Sequence, residues 1–393
     1  MGVNSMDFQQ SATILAALMS QATGQTVLAP QNLGDYISVG QKALSVGYDP
    51  LNIGISQMVS RTIYALRNYE SPLKILARTG EEYGAIVRKV NSIYQPVEDA
   101  PVYKLIDGQS VDPWKVRKPK LYQTNFYGFD TWDDSVSVTR VQLKNAVTDP
   151  AEMGRLMGLI LGTKANEMRL SRETFERATL ANAIAATRAL NNVAQNRHLL
   201  TEYNAATGLG LTATTVKQPA NFAPFMKWAY ARIGAASDML RNMSSAYHLN
   251  PSEGNILRHT PKDKQRLFVY NQAIHDMDAS VLADTFNASM VSGEAPYTET
   301  LDYFQSMITP DAVNVTPAYI GADGALVENA DPVQVTNIFA VLFDADAVGT
   351  NYYDSSVDVS PFNSKGKYWN YDYHDAHRYF YDATENFIVF TLD

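Results

Sequence analysis

Residues 365–393 read KGKYWNYDYHDAHRYFYDATENFIVFTLD. Tyrosine, phenylalanine and tryptophan recur through the stretch, and these residues favour the pleated, half-buried surface of a sheet. The stretch therefore reads as strands. Working back from it, VTNIFAVLF (335–343) and RLFVYN (266–271) read as further strands, the former within a region of short strands and loops over 296–359. A turn at 275–278 leads from the second of these into a helix, ASVLADTFNAS, over 279–289.

The middle of the chain is helical. Phe225, Trp228, Ala229, Ile233, Ala236, Leu240 and Met243 follow helical spacing over 221–247, and Asn250-Pro251 ends that run. Residues 201–220 read as a small-residue linker. Asp149, Pro150 and Glu152 form a helix start: a capping carboxylate, a proline in the first turn and an acid near the positive end. The helix continues to about Leu200, as one element or as two in line with a restart at Ser171. Gly154, Gly158 and Gly162 recur every four residues, which marks a flexible or closely packed helix start. Upstream, alternating runs at 85–94, 101–106, 120–129 and 135–143 read as hairpin strands. A ribbon of two strands is marginal alone and needs a neighbour. Residues 1–66 read as short helices (7–22, 31–46, 55–67) with narrow apolar faces, an extended arm that packs on something else.

The 393 residues exceed the size at which one hydrophobic core stops growing, so two or more lobes are expected. Hydrophobic residues make up 46%, which excludes global disorder, while charged residues make up only 19%, which suits a chain with extensive covered surface. Cysteine is absent, so disulfides, cysteine–zinc sites, iron–sulfur clusters and thiol nucleophiles are excluded. The net charge of −9 is carried entirely by residues 323–393, with twelve acids and three bases. That segment is a poor grip for nucleic acid. It reads as a soluble acidic face, or as a wall that faces nucleic acid without sticking to it. The first basic residue is Lys42, so the apolar run at 11–19 lacks the positive region of a signal peptide, and no stretch is apolar enough to span a membrane.

Catalytic and cofactor patterns fail. There is no GxxxxGK[ST], GxSxG or HExxH. Gly208, Gly210 and Ala213 form a GxGxxA that follows a helix rather than a strand. Asp344, Asp346 and Gly349 imitate part of a calcium loop, but Val348 and Ser355 stand where oxygen ligands belong. His374 and His377 are three apart, which on a strand sends them to opposite faces. The pair Asp133-Asp134 reads as surface carboxylates. No catalytic, cofactor or metal site is expected. Trp114, Lys115, Arg117, Lys118 and Lys120, with Tyr122, read either as a weak nucleic-acid patch or as a salt-bridge site for another protein.

The order of parts (helical arm, long hairpin, long helix, mixed domain, aromatic strand end) resembles the Hong Kong 97-type fold of tailed-phage major capsid proteins. RLFVYNQAIHDMDASVLADTFNAS (266–289) resembles the strand–turn–helix unit of such proteins. KGKYWNYDYHDAHRYFYDATENFIVF (365–390) resembles the closing strands of capsid proteins from small podoviruses of the Picovirinae type. The resemblance implies an α+β fold with an N-arm over 1–66, an E-loop over 67–148, a P-domain spine helix over 149–215, an A-domain over 216–359 and return strands to the P-domain over 360–393. It implies a non-enzymatic major capsid protein without cofactors. Such a protein self-assembles into pentamers and hexamers of an icosahedral phage head around double-stranded DNA, without sequence-specific DNA binding. A separate scaffolding protein, a portal, no membrane contact and assembly in the bacterial host cytoplasm are implied with it, and no decoration module is expected. Trp114, Lys115, Arg117 and Lys118 become inter-subunit contacts at the E-loop tip. An encapsulin-type cargo shell and a minor structural head protein are the alternatives.

Overall fold

The computed structural model describes residues 8–53, 55, 71–79, 87–97, 103–104, 106–108, 110–112, 114, 116–126, 129–158, 164–272, 274–275 and 297–393. The helix expected over 279–289, and nearly all of that over 55–67, lie outside these residues. The chain divides into two compact units.

The first unit comprises Met1–Glu82, Phe129–Phe175 and Asn351–Arg378. Its helices are α1 (Phe8–Thr23), α2 (Leu33–Val46), α3 (Arg140–Thr148), α4 (Pro150–Met157) and the first part of α5 (Lys164–Ala189). Its sheet has the order β1-β13-β14-β4, with β1 Ala77–Thr79, β4 Phe129–Thr139, β13 Val348–Val359 and β14 Tyr368–Tyr381. The arm helices do not wait for another molecule. Leu15, Leu18, Met19, Tyr36 and Ala43 are buried in one cluster with Leu143, Val147, Met153, Trp369, Tyr371 and Tyr373. Tyr36 donates its hydroxyl to the Ala146 carbonyl (3.3 Å), Ser11 to that of Pro150 (3.0 Å), and Tyr371 to Asn52 Oδ1 (2.6 Å). Short helices with narrow apolar faces gain stability from such packing, and here the same chain supplies it.

Local capping explains where elements change. The run 135–143, expected as one strand, splits at Thr139. Gln142 N–H donates to Thr139 Oγ1 and Gln142 Oε1 accepts from Thr139 N–H (2.9 Å), a reciprocal capping box that turns the chain into α3. The start at Asp149 is where the sequence places it, with Oδ1 accepting from Ala151 N–H (3.0 Å). Helix α4 spans Pro150–Met157 and α5 Lys164–Ala189, helical through Ser171, while residues 159–163 lie outside the described residues.

The second unit comprises Tyr83–Gly128, Glu176–Thr350 and Tyr379–Asp393. Its mixed sheet has the order β5-β15-β12-β6-β7, with β5 Asn196–His198, β6 Gln265–Tyr270, β7 Tyr297–Leu301, β12 Ile338–Asp344 and β15 Phe387–Thr391. β12 pairs antiparallel with β15 and β6, while β15–β5 and β6–β7 are parallel. β12 and β15 are buried at every position, as strands covered on both faces must be. One face packs Leu267, Val269, Ala340, Leu342, Ile388 and Phe390 against α6 (Leu199–Thr207) and α7 (Pro219–Met239). The other brings together Phe268, Phe343 and Phe387, the first pair edge-on and the second stacked, with successive ring centroids 5.3 Å apart. The expected linker over 201–220 thus contains a helix, and α7 ends at Met239, before the Asn250-Pro251 boundary. Gly208, at φ 72°, closes α6 in the left-handed conformation, which accounts for the glycine of the GxGxxA pattern. The aromatic tail is divided, with β14 joining the four-stranded sheet and β15 the five-stranded one.

Candidate assembly surface

In the second unit β2 (Val87–Ser92) pairs antiparallel with β3 (Leu121–Phe126) in the register Val87↔Phe126 to Ser92↔Leu121. Alternation gives the ribbon two different faces. Asn91, Ile93, Tyr122 and Thr124 are buried, whereas Arg88, Val90, Leu121 and Gln123 are exposed. The ribbon's neighbour is its own chain. Ile93 and Tyr122 pack with Ile256, Tyr94 N–H donates to Asn255 O (2.8 Å), and the Tyr122 hydroxyl donates to Gly321 O (2.7 Å). Burial pushes the Tyr122 hydroxyl up to about 12, reinforced by Asp382 and Asp323. Gly254, at φ 150°, lets the chain pass close to the ribbon, since a Cβ there would sit 2.7 Å from Ile93 Cγ2.

The ribbon's root is held by charge. Lys89 on β2 contacts both Asp382 and Glu385. Arg258 reaches Glu385 (3.2 Å), Asn91 Oδ1 (2.6 Å) and the Thr384 carbonyl (3.1 Å). Thr384 in turn gives its N–H and hydroxyl to Asp382 Oδ1. Burial raises the Glu385 carboxyl above its ordinary range against the pull of Lys89 and Arg258. Two cations and two anions balance, and Asn91 and Thr384 add hydrogen bonds to them, which is what a buried ionic group requires.

Beyond this root the loop loses its support. Val97, Tyr103, Trp114 and Val116 are 92%, 88%, 84% and 79% exposed. Trp114 N–H donates to Asp112 Oδ1 (2.9 Å), Arg117 Nη2 to Pro96 O (3.0 Å), and Gln95 Nε2 to Lys118 O (3.0 Å), so the two limbs of the loop are tied together. Arg117, Lys118 and Lys120 line an open groove of about 370 Å³ with Tyr94, Gln95 and Glu253. Of the four residues singled out by sequence, Trp114, Arg117 and Lys118 stand on this one loop, and Lys115 lies outside the described residues. The run 101–106 forms no strand among its described residues. Sequence reading missed the exposed Val97, Tyr103 and Val116, although their apolar character in a polar stretch was visible. It also missed the ionic root, whose members lie 293 and 296 residues apart.

The other candidates resolve into structure. His374 is exposed and His377 buried, on opposite faces of β14. Asp344 accepts from Thr260 Oγ1 (2.7 Å) and Asp346 N–H (2.8 Å) in the turn after β12. Asp134 pairs with Lys164, so Asp133-Asp134 is not a free pair. Among the described residues no group of His, Asp or Glu could hold a metal, and no helix is long and apolar enough to cross a membrane. The C-terminal acids do not form one solvated wall. Asp344, Asp375, Asp382 and Glu385 are buried, with Asp375 held by Arg172 through two bonds (2.9 and 3.1 Å).

The model of the Phi29-like phage major capsid proteins matches residues 47–391, well over half of the chain. The chain belongs to that family. Its fold is the Hong Kong 97-type α+β fold of tailed-phage capsids. A chain from the capsid structure of Staphylococcus phage Andhra superposes with a TM-score of 0.50 at 11% identity, covering 81% of this chain and 83% of that one. A chain from the structure of head fiber and inner core protein gp22 of native bacteriophage P68 does so with a TM-score of 0.51 at 10% identity, again over 81% and 83%. At such identities the likeness is one of fold. Among curated proteins no relative matches. As a Phi29-like major capsid protein, the chain is a structural subunit whose copies build the icosahedral shell of a phage virion. Neither the cargo-shell nor the minor-component reading is favoured by these matches.

Proposed function

We propose that the chain forms pentamers and hexamers that close around double-stranded DNA without sequence-specific contacts, with a separate scaffolding protein and a portal, in the cytoplasm of a bacterial host. In this reading residues 1–66 are the N-arm, the ribbon and its loop are the working part of an E-loop within 67–148, and α4 and α5 lie in the spine-helix segment over 149–215. The A-domain runs over 216–359, and 360–393 return toward the P-domain. Small podoviruses are the source that the 365–390 likeness favours. The subunit works by interfaces, with no catalytic step. Trp114, Lys115, Arg117 and Lys118 are contacts to a neighbouring subunit.

The observation that carries this reading is the loop beyond the ribbon root, where Val97, Tyr103, Trp114 and Val116 stand almost fully exposed. Burying such side chains on a partner recovers about 1.5–3 kcal/mol for a full-sized one, and a shell repeats that contact in every subunit. Light scattering and electron microscopy of the purified protein, with and without a co-expressed scaffolding protein, test it. Megadalton rings or shells are expected. A 43.5 kDa monomer under both conditions overturns the assembly scheme.

A further inference from the structure

Of the 22 glycines, two follow an aspartate and none follows an asparagine. The pair matters because the amide nitrogen after an aspartate can attack the side-chain carboxyl, and glycine, with no Cβ, obstructs that approach least. The two pairs stand in opposite surroundings. Asp323-Gly324 lies in a bonded turn. Gly324 N–H donates to Gly321 O (3.0 Å), Gly321 N–H to Ala325 O (2.8 Å), and Ala325 N–H to Asp323 Oδ1 (3.0 Å). The Tyr122 hydroxyl holds Gly321 O as well (2.7 Å), and a Cβ on Gly324 would lie 3.7 Å from Gln123 O and 3.8 Å from Tyr122 Cε2. The nitrogen and the carboxylate of that pair are both engaged. Asp107-Gly108 has neither restraint. Ile106, Asp107 and Gly108 are exposed. Among the described residues the Asp107 carboxyl and the Gly108 N–H make no hydrogen bond, and no atom lies within 4 Å of a Cβ built on Gly108.

We propose that Asp107-Gly108 is a site of spontaneous isoaspartate formation in the free subunit, and that the turn shields Asp323-Gly324 from the same reaction. The Gly108 nitrogen bonds to Asp107 Cγ and gives up its proton, and a carboxyl oxygen leaves as water. The product is a five-membered succinimide. Water then adds to either ring carbonyl and opens the ring, which restores aspartate or leaves isoaspartate. In isoaspartate the main chain runs through the Asp107 side chain and is one atom longer, while the former backbone carbonyl becomes the free carboxylate. Nothing is oxidised, composition and charge are unchanged, and water is the only co-reactant. Ring closure needs the nitrogen to swing onto Cγ. An exposed, unbonded turn allows that from the folded state, whereas the 321–325 turn must open first. The two limbs of the loop are tied by Arg117 to Pro96 and by Gln95 to Lys118, so the lengthening stays beyond those ties.

Ageing of unassembled full-length subunits in mildly acidic buffer at physiological temperature tests this. Peptide mapping by chromatography and mass spectrometry, with methylation by an isoaspartyl methyltransferase as the probe, reads the product. Isoaspartate at Asp107 should exceed that at Asp323 by about tenfold or more, with the melting temperature of fresh protein retained. Asp107→Glu, which would have to close a six-membered ring, should abolish the methylation without changing the fold. Asp107→Asn and Asp323→Asn sharpen the contrast, because an asparagine closes the same ring faster, with loss of ammonia. The first variant should deamidate and the second should stay intact. In urea the two sites should react alike, since only the folded turn separates them. Equal rates at the two sites in the folded chain, or a faster reaction at Asp323, overturn the proposal. So does an unmodified Asp107 in folded subunits whose urea-unfolded sample reacts.

Discussion

Gly40 lies inside α2, where alanine ordinarily stabilises a helix by about 1 kcal/mol. The structure reverses that sign. A Cβ built on Gly40 would lie 2.2 Å from the Val147 carbonyl oxygen and 3.1 Å from its carbon, on the facing helix α3. The clash is with backbone, roughly 1 Å inside normal carbon–oxygen contact, so the helix itself must retreat. Retreat pulls Tyr36 from the Ala146 carbonyl and opens the packing of Tyr36 and Ala43, both fully buried. Overpacking costs about 1–3 kcal/mol, and a clash with backbone rather than with a yielding side chain belongs to the upper part of that range, about 2–3 kcal/mol, more than the propensity gain. Gly40→Ala should therefore destabilise the first unit by about 1–2 kcal/mol net, a fall of roughly 2–8 °C in melting temperature. Gly234→Ala is the control. Gly234 is inside α7 with nothing within 4 Å of its added Cβ, so alanine there should stabilise by up to about 1 kcal/mol. Thermal and urea melts of unassembled subunits, run side by side, read both. A Gly40→Ala protein as stable as Gly234→Ala would refute the argument that α2 and α3 meet at backbone distance.

Two further outcomes follow from named groups. Tyr122→Phe removes the bond to the Gly321 carbonyl and should cost about 1 kcal/mol, with faster amide exchange in the 321–325 turn while the ribbon register persists; unchanged exchange would detach the ribbon from that turn. Burial holds the His248 and His377 imidazoles below their ordinary range, so the folded chain binds fewer protons than the unfolded one, and this stability is present above about pH 6.5 and lost as pH falls below it. Because His377 Nδ1 makes no hydrogen bond among the described residues, His377→Phe should flatten that acid decline at little cost at neutral pH, and a decline as steep as wild type in denaturant melts at pH 7.5 and 5.5 would exclude His377 as a contributor.

Features encoded within a few residues were legible from the sequence alone. Asp149-Pro150 starts a helix because a carboxylate accepts an early N–H and proline lacks one of the unsatisfied donors. The run at 266–271 forms a strand at close to its expected limits, and that at 335–343 forms one from Ile338 onward, Val335 ending a separate short strand. The aromatic tail and the cationic loop were likewise open to reading, because composition and alternation are local properties. Where a local signal was overlooked, as in the Thr139–Gln142 capping box inside an alternating run, a strand was expected where a helix begins.

Only the tertiary structure decided which distant segments meet. It divided 365–393 between two sheets, seated the arm helices on their own chain, and drew Lys89, Arg258, Asp382 and Glu385 into one balanced cluster. It also dispersed the C-terminal acids, some into buried pairs and some onto an open sheet face. The physical reason is range. Capping, turn chemistry and side-chain alternation act between neighbours in sequence, whereas burial and ion pairing depend on what the rest of the chain brings to the other side.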